Sequence, residues 1–292
     1  MKKIVVAVSG GVDSIVLLDI LVNLVKAGKL KRELIVAHFE HGIRDDSADD
    51  LEFVSKLAKN YGLKFEFECG DLGKNASEDK ARAARYEFLR KVSDKYGKAE
   101  IATAHHKNDL VETILINFQR GTGWRGLAVL DSDDIWRPLI SKTKNDLLNY
   151  AKKHKLLWHE DSTNESDKYL RNRLRRQLRN ISSDDVDKIY NLWQDQIKNK
   201  DEIDNEVLKI IKNISNNHDD KIYYPRYFFA QIESREAVEI LRQIVINETS
   251  NTLTRPQLFN LWMNIKTIST GKKIDITGKK HVCFAKTEFF FE

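Results

Sequence analysis

The sequence predicts an α/β fold, a parallel sheet flanked by helices, followed by a second, mainly helical domain that ends in a small β element. Three features predict this architecture. Short β-branched apolar runs alternate with helical segments over roughly the first 120 residues, as they do in repeated βα units. The alternation gives way to helical segments beyond about residue 180, and short strand-like runs follow near residue 273.

The elements of the first domain follow from these patterns in order. Residues 2–8 (KKIVVAV) form an apolar run without polar alternation, which is typical of a strand buried on both faces. A helix should follow, because apolar residues from Ile15 to Val25 recur at helical spacing and Gly28 provides a stop. Further strands are predicted over 34–39, 64–68 and 100–104, and further helices over 48–61, 77–96 and 108–119.

The second domain is predicted from a change in pattern. Its helices are expected over 184–199, 201–213, 234–247 and 255–265, and its strands over 273–276, 281–285 and 288–291. Composition alone places the boundary, giving a first domain of residues 1–180 and a second of residues 181–292.

Composition excludes several classes of protein. Lysine and arginine number 49 against 44 acidic residues, a net charge of +5 that fits a polyanionic partner without requiring one. No run approaches the roughly 18 apolar residues of a membrane span, and Ile4–Val8 is too short for a secretory signal, so a cytoplasmic protein without a membrane partner is expected. The two cysteines, Cys69 and Cys283, lie far apart, which argues against a disulfide framework or a cysteine-rich metal site.

A candidate phosphate loop lies where the first strand becomes the first helix. Its residues are Ser9, Gly10, Gly11, Val12, Asp13 and Ser14. Backbone N–H groups and a helix N-terminus converge on an anion at such a position, and the glycines let a phosphate approach. Asp13 is the nearest residue able to hold a magnesium ion. The alternative is a tight turn with an N-capping residue, which the glycines, Asp13 and Ser14 would also satisfy.

This loop is neither a Walker A motif nor a Rossmann fingerprint. SGGVDS instead resembles the pyrophosphatase loop of the N-type ATP pyrophosphatases, whose fold is adenine nucleotide α-hydrolase-like. The resemblance implies binding of ATP with magnesium, cleavage between the α and β phosphates, and adenylation of a substrate oxygen.

Further segments narrow the resemblance. They are AHFEHGIR (37–44), ARAARY (81–86), TAHHKNDLVET (103–113) with His105 and His106, RPL (137–139), and DSTN (161–164) through RNR (171–173). Because strand ends surround the crevice of an open α/β sheet, the first three can face the phosphate loop. The order and the residues of these segments, over residues 3–180, resemble those of the tRNA(Ile)-lysidine synthetase family. Members are carbon–nitrogen ligases. ATP adenylates the C2 carbonyl oxygen of the wobble cytidine in the CAU anticodon of tRNA(Ile) and pyrophosphate leaves; the ε-amine of L-lysine then attacks C2, AMP leaves, and lysidine forms.

That reaction requires a cation near the phosphate, an acid or base near the amine, and carboxylates near the lysine. Arg85, His105, Asp109 and Glu112 are the expected catalytic residues. Positions 105, 109 and 112 share one face if all three are helical, although His105 can instead cap the helix. Arg82 and Arg85 can alternatively be solvated or paired with acids on their own helix, and His38 and His41 can imitate a metal pair but are expected to serve packing or substrate contact.

Two further features bear on the substrates. The family usually has two acids after its histidine pair, whereas the first position here is Asn108, which removes one potential carboxylate ligand. Residues 168–179 form a basic amphipathic helix expected to bind tRNA, with Arg171, Arg173, Arg175 and Arg176 as its candidate contacts. Those arginines can instead pair with acids near Asp184. Trp124, in a glycine-rich loop, can stack on a base or fill the core.

Two rival functions remain open from the sequence. A tRNA-thiolating enzyme would share the loop and the RNA, but such chemistry usually relies on reactive cysteines, and Cys69 and Cys283 form no pair. A module that binds ATP or RNA without turnover is the second rival. The sequence also leaves open whether the protein is a homodimer.

Overall fold

We describe the protein from a computed structural model, which covers residues 2–40, 47–70, 73, 77–159, 181–218, 220–276, 278 and 280–292. It divides into two compact units, Met1–Ile197 and Lys198–Glu292. The sequence placed the boundary after residue 180, and the division by contacts falls later, inside one long helix.

The first unit contains a five-stranded sheet. Its strands are β1 (Lys3–Ala7), β2 (Glu33–Glu40), β3 (Lys64–Cys69), β4 (Glu100–Ala102) and β5 (Ile135–Trp136). The order across the sheet is β3-β2-β1-β4-β5, and every pair is parallel. The parallel α/β sheet predicted from the sequence is therefore confirmed.

Helices connect these strands, as parallel pairing requires. They are α1 (Val12–Lys26), α2 (Ser47–Asn60), α3 (Glu78–Lys95) and α4 (Lys107–Gln119), with a short 3₁₀ turn over Trp124–Gly126. A fifth helix, α5 (Lys144–Lys153), follows the last strand, β5. Ser77 caps α3 by accepting a hydrogen bond from the Lys80 backbone N–H.

The sheet buries both of its faces, which explains the unbroken apolar run of β1. Ile4 and Val6 pack with residues of α1, α2 and α5, whereas Val5 packs with residues of α3 on the other face. Side chains alternate between faces along a strand, so each position of β1 must be apolar.

Strand order creates a switch point between β1 and β4. From β1 the chain runs outward through β2 and β3, and it then returns to place β4 on the opposite side of β1. In open α/β sheets, ligands bind outside the carboxyl ends of the strands at such a point. The segments after β1 and β4, residues 8–11 and 103–106, therefore define the candidate site.

The second unit combines helices with a small antiparallel sheet, as predicted. Its strands are β6 (Asn216–His218), β7 (Lys221–Pro225), β8 (Lys273–Asp275), β9 (His281–Phe284) and β10 (Glu288–Phe291), in the order β6-β7-β10-β9-β8. Its helices are the end of α6 (Ser183–Ile214), α7 (Arg226–Gln231), α8 (Ser234–Thr249) and α9 (Arg255–Thr267). Phe229, Leu241 and Phe289 are fully buried in its core.

The structure differs from the sequence predictions at several elements. The two helices expected over 184–199 and 201–213 are one continuous helix, α6, because no glycine or proline interrupts it and Lys200 pairs with Asp204 one turn later at 3.3 Å. The sequence did not predict β5, α5, β6, β7 or α7. Within the described residues, no helix is both long and apolar enough to cross a bilayer.

Candidate active site

The phosphate loop is shaped by its own hydrogen bonds. The Ser14 hydroxyl donates to the Gly11 carbonyl at 2.9 Å, and Ser14 Oγ accepts from the Ser9 backbone N–H at 3.1 Å. Gly10 has φ +94°, and a Cβ there would lie 3.4 Å from Asp50 Oδ1, so this position favours glycine. Gly11 is the N-cap of α1, and no side chain caps that helix. The loop is therefore a turn whose N-cap is a glycine, and its binding of phosphate stays a prediction.

Asp13 lies at the start of α1 and contacts two cationic groups. Lys144 Nζ donates to both carboxylate oxygens, at 2.7 and 2.8 Å. His106 Nε2 lies 3.6 Å from Asp13 Oδ2. Helices α1, α4 and α5 thus bring one side chain each to the switch point.

The contacts around Asp13 change the pKa values of both partners. Burial raises the pKa of Asp13, but His106 and Lys144 together outweigh burial and hold that pKa below 3.8. Burial lowers the pKa of His106, but Asp13 and Asp109 outweigh it and raise that pKa above 6.5. The carboxylate of Asp13 is therefore ionised at neutral pH.

His106, not His105, caps α4. The His106 ring accepts a hydrogen bond from the Asp109 backbone N–H at 3.4 Å, and Asp109 Oδ2 accepts from the His106 backbone N–H at 3.1 Å. This reciprocal arrangement is a capping box. His105 therefore lies outside the helix, and only Asp109 and Glu112 of the three expected residues share a helical face.

His105 is surrounded by cations. Thr103 Oγ1 lies 2.8 Å from Nδ1 and orients the ring. Burial lowers the pKa of His105 far below 6.5, and the positive charges of Arg85, Arg137 and Arg82 lower it further against the opposing charge of Asp109. His105 is therefore neutral at pH 7. The sequence prediction assumed an unperturbed histidine pKa, and the structure lowers that pKa.

The arginines near His105 gather around one aromatic ring. The guanidinium carbons of Arg82 and Arg85 lie 5.1 and 5.3 Å from the centroid of the Tyr86 ring. Arg137 donates to the Ile135 carbonyl at 3.0 Å. Arg82 and Arg137 carried no assigned role in the sequence, although both lie in the segments quoted for the resemblance.

The carboxylates expected to face the lysine lie one helical turn apart. Asp109 and Glu112 occupy positions three apart on α4, which places them on one face. Glu112 is buried, with only 5% of its surface exposed. A buried acid marks a polar interior that apolar packing does not require.

Lys144 is the functional candidate that the sequence reasoning missed. Its backbone N–H donates to Asn108 Oδ1 at 2.9 Å, which gives Asn108 a role that an acid would also fulfil. Thr143 and Asp146 form a capping box at the start of α5, and the T-x-x-D pattern was the available sequence signal. The contact with Asp13 joins residues 131 positions apart, so spacing alone does not reveal it.

Other predicted residues fall into three groups. His38 is buried and donates from Nδ1 to the Val8 carbonyl at 2.8 Å, a packing role, and burial lowers its pKa. Trp124 is half-buried, and the Arg125 guanidinium lies 4.6 Å from its ring centroid. It lies within a tight turn, in which a Cβ on Gly126 would be 1.7 Å from Thr122 Oγ1. The expected residues outside the described ones are His41, Arg171, Arg173, Arg175 and Arg176.

Two acids near the end of the predicted basic helix already bind other cations. Asp187 pairs with Lys107, and Asp185 pairs with Lys188 at 3.0 Å. Lys107 Nζ also lies 4.7 Å from the centroid of the Tyr190 ring. These contacts join α4 to the first half of α6.

The chemistry of the loop fits a magnesium ion that arrives with a nucleotide. In the described part of the chain, no group of three or more histidine, cysteine or acidic side chains could hold a metal by itself. Magnesium in nucleotide sites is held by one or two carboxylates together with phosphate oxygens. Asp13 supplies one carboxylate, and it already binds a cation, the Lys144 ammonium.

Comparisons with known proteins agree with this geometry. The family model described as a PP-loop domain matches residues 1–181. A tRNA(Ile)-lysidine synthase of Thermotoga maritima is 36% identical over 185 residues, covering 61% of this chain and 44% of the relative. A bifunctional protein TilS/HprT of Listeria monocytogenes is 29% identical over 299 positions, covering 95% of this chain and 45% of the relative. The chain thus spans less than half the length of these relatives.

A solved structure shares the fold. The U34-tRNA thiolase NcsA from Methanococcus maripaludis, with its [4Fe-4S] cluster, superposes with a TM-score of 0.58 at 19% identity, covering 68% of this chain and 73% of that one. At this identity the likeness concerns the fold alone. The family match extends over more than half of the chain, and its loop lies at the switch point of the sheet. The chain belongs to the PP-loop family.

Proposed function

We propose that this chain ligates L-lysine to C2 of the wobble cytidine in the CAU anticodon of tRNA(Ile), consuming ATP and releasing AMP and pyrophosphate. The observation that carries the proposal is the convergence of the phosphate loop, the His105–His106 pair and Lys144 at one switch point. Relatives named tRNA(Ile)-lysidine synthase supply the choice of reaction.

Residues Ser9–Ser14 would bind the phosphates of ATP. The uncapped N-terminus of α1 offers backbone N–H groups and the positive end of the helix dipole to an anion. Asp13 would hold the magnesium ion that accompanies the nucleotide, and that ion would offset the phosphate charge. Arg85 would offset the charge that develops at the α phosphate during adenylation.

The remaining expected residues would act on lysine. Asp109 and Glu112 on one face of α4 would bind its ammonium groups, because a partly desolvated carboxylate favours an ammonium partner. His105 would take a proton from the attacking amine. The bound phosphates would offset the positive charges of Arg82, Arg85 and Arg137, and would thereby raise the pKa of His105 towards neutrality when ATP is bound.

The two domains predicted from the sequence would divide the work. We assign catalysis to residues 1–180 and tRNA binding mainly to residues 181–292. Arg171, Arg173, Arg175 and Arg176, near the end of the first domain, would add phosphate contacts to the tRNA. Association of two copies as a homodimer belongs to the same proposal and is measured by sedimentation velocity.

The decisive experiment is incubation of the protein with ATP, lysine and a tRNA(Ile) transcript carrying CAU, followed by mass spectrometry of the anticodon fragment. A lysine-sized mass increase that requires ATP is expected. Pyrophosphate release without this increase would mean that the acceptor is wrong. Absence of both would favour a module that binds ATP without turnover.

The same assay separates lysine transfer from sulfur transfer. Cys69 is exposed on β3 beside Glu40, which raises its thiol pKa, and burial raises the thiol pKa of Cys283. Neither environment favours a reactive thiolate. The double variant C69S/C283S should therefore keep full activity, whereas loss of turnover in a folded variant would favour thiolation.

A further inference from the structure

Lys144 combines a fixed backbone with an exposed ammonium. Its backbone N–H donates to Asn108 Oδ1 at 2.9 Å, and the Lys107 N–H donates to the Lys142 carbonyl at 2.8 Å. The segment before α5 is thus joined to the start of α4. The side chains of Lys144 and Asp13 nevertheless remain 38% and 31% exposed. A ligand entering the phosphate loop can therefore reach their ion pair.

A second contact fixes α5 against α1. The Tyr150 hydroxyl donates to Asp19 Oδ2 at 2.8 Å, and the Tyr61 hydroxyl donates to the other oxygen at 2.7 Å. Tyr150 lies six residues after Lys144, and Asp19 lies six residues after Asp13. Asp19 is buried, so this contact is a permanent anchor, whereas the Asp13–Lys144 contact at the helix starts stays accessible.

We propose that Lys144 is a phosphate-binding residue that exchanges partners: its ammonium pairs with Asp13 before nucleotide binds and moves to the pyrophosphate portion of the bound triphosphate. The inference rests on the proposed function in taking ATP as the ligand. A lysine suits such an exchange, because its charge is a point at the end of a flexible stem and binds phosphate without a fixed geometry.

The energetics favour the exchange. A partly exposed ion pair contributes only about 0–1 kcal/mol to stability, so breaking the Lys144–Asp13 contact costs little. Phosphate oxygens bound at the N-terminus of α1 carry more negative charge than one carboxylate and lie near the same position. The move also frees the oxygens of Asp13, which is the residue proposed to bind magnesium.

Titration of inorganic pyrophosphate in the presence of a metal chelator tests the exchange directly. We expect K144Q to bind pyrophosphate at least about tenfold more weakly than the wild type, a difference of about 1.4 kcal/mol. K144R should recover part of that loss. The matched control K152Q removes the same charge from an exposed position of the same helix, and it should bind within about twofold of the wild type.

Substitution of Asp13 gives the more discriminating test, because the Asp13 carboxylate competes with pyrophosphate for the Lys144 ammonium. D13N should therefore bind metal-free pyrophosphate several-fold more tightly than the wild type, and the gain should vanish in D13N/K144Q. Loss of a nearby negative charge would by itself also tighten pyrophosphate binding, but that gain would persist in D13N/K144Q relative to K144Q. Circular dichroism and melting temperatures verify that each variant is folded.

The outcomes separate this inference from the proposed function. Equal affinities in the wild type and K144Q, no gain in D13N, or no pyrophosphate binding to the wild type would each overturn the role of Lys144. The titration contains neither tRNA nor lysine, so its result does not depend on lysidine formation. If the wild type forms lysidine but the K144Q and D13N variants show none of these affinity changes, the proposed function stands and the partner exchange of Lys144 is rejected.

Discussion

The two units bury different kinds of residue. In the described part of the chain, the buried polar or charged side chains are Ser14, Asp19, His38, Thr103, His106 and Glu112, and all of them belong to the first unit. The core cluster of the second unit is built from apolar and aromatic side chains such as Phe229 and Phe289. Burying polar groups costs stability unless they are paired. The first unit bears that cost close to the switch point, where chemistry requires it.

The largest change in stability should come from the second unit. Phe289 is fully buried against Tyr224 and Phe229, with ring centroids 5.4 and 5.5 Å away. F289A should lower the free energy of unfolding by about 3–5 kcal/mol through lost burial and a cavity. Urea unfolding followed by circular dichroism measures this loss.

The matched control for that variant lies on the same strand. Phe290 is only partly buried and points away from the core cluster, so F290A should cost about 1 kcal/mol or less. Equal losses for F289A and F290A would contradict the assignment of the core. Where F289A folds, its affinity for ATP should match that of the wild type. F289L, with a smaller volume change, serves the same test if F289A does not fold.

The opposite pattern is expected at Asp13 in the first unit. D13N should lower the rate of pyrophosphate release in the complete reaction by about 100-fold or more, equivalent to about 2.7 kcal/mol of transition-state stabilisation. The variant should still unfold near the wild-type urea midpoint, because the Asp13 side chain is 31% exposed. D13E, which keeps the charge but moves it, should recover little activity. A fully active D13N would remove Asp13 from the site.

His106 links stability and pH in the first unit. Its pKa is raised in the folded protein by Asp13 and Asp109 against burial and the opposing charge of Lys144. The charged imidazole attracts Asp13 and Asp109, although its Nδ1 then carries a proton and no longer accepts from the Asp109 N–H. Because the pKa is raised, the net stabilisation by the charged form is fully present below the unfolded pKa near 6.5 and disappears as pH rises through the folded value. H106N keeps a good capping residue but loses the charge. The wild type should exceed H106N in stability by on the order of 1 kcal/mol at pH 6.

Urea unfolding at pH 6 and pH 9 measures that difference. At pH 9 the wild type and H106N should converge, because the imidazole is then neutral. Both proteins retain His38 and His105, whose lowered pKa values change stability in the opposite direction, so their effects cancel in the comparison. A gap that widens from pH 6 to pH 9 would contradict the assignment.

Sequence analysis predicted the elements that depend on patterns of neighbouring residues. Strands β1 to β4 and helices α1 to α4 were readable because each depends on a local pattern, and the structure confirms them. The phosphate loop was readable for the same reason, and its binding of phosphate stays a prediction. Strand β5 spans only Ile135–Trp136, too short for any period to appear. The Asp13–Lys144 contact depends on strand order, which brings together positions 131 residues apart. The shift of His105 depends on burial and three arginines, which spacing does not reveal.

Asn108 provides the smallest expected effect. Its side-chain oxygen accepts a hydrogen bond from the Lys144 backbone N–H at 2.9 Å, and a carboxylate accepts the same bond. Position 108 lies in the first turn of α4, where a negative charge adds about 0.3–1 kcal/mol of stability. N108D should therefore be slightly stabilised, with lysidine formation within about threefold of the wild type.

The comparison variant N108A removes the acceptor, so the Lys144 N–H loses its partner. We expect N108A to lower both stability, by about 1 kcal/mol, and turnover, whereas N108D retains both. Steady-state rates measured over a range of lysine concentrations distinguish this role from direct substrate binding. If N108D instead lowered the KM for lysine tenfold, the position would act as a carboxylate ligand of lysine. Asn108 would then weaken lysine binding in this chain relative to an aspartate at the same position. Position 108 would belong with Asp109 and Glu112 among the groups of the first unit that bind lysine.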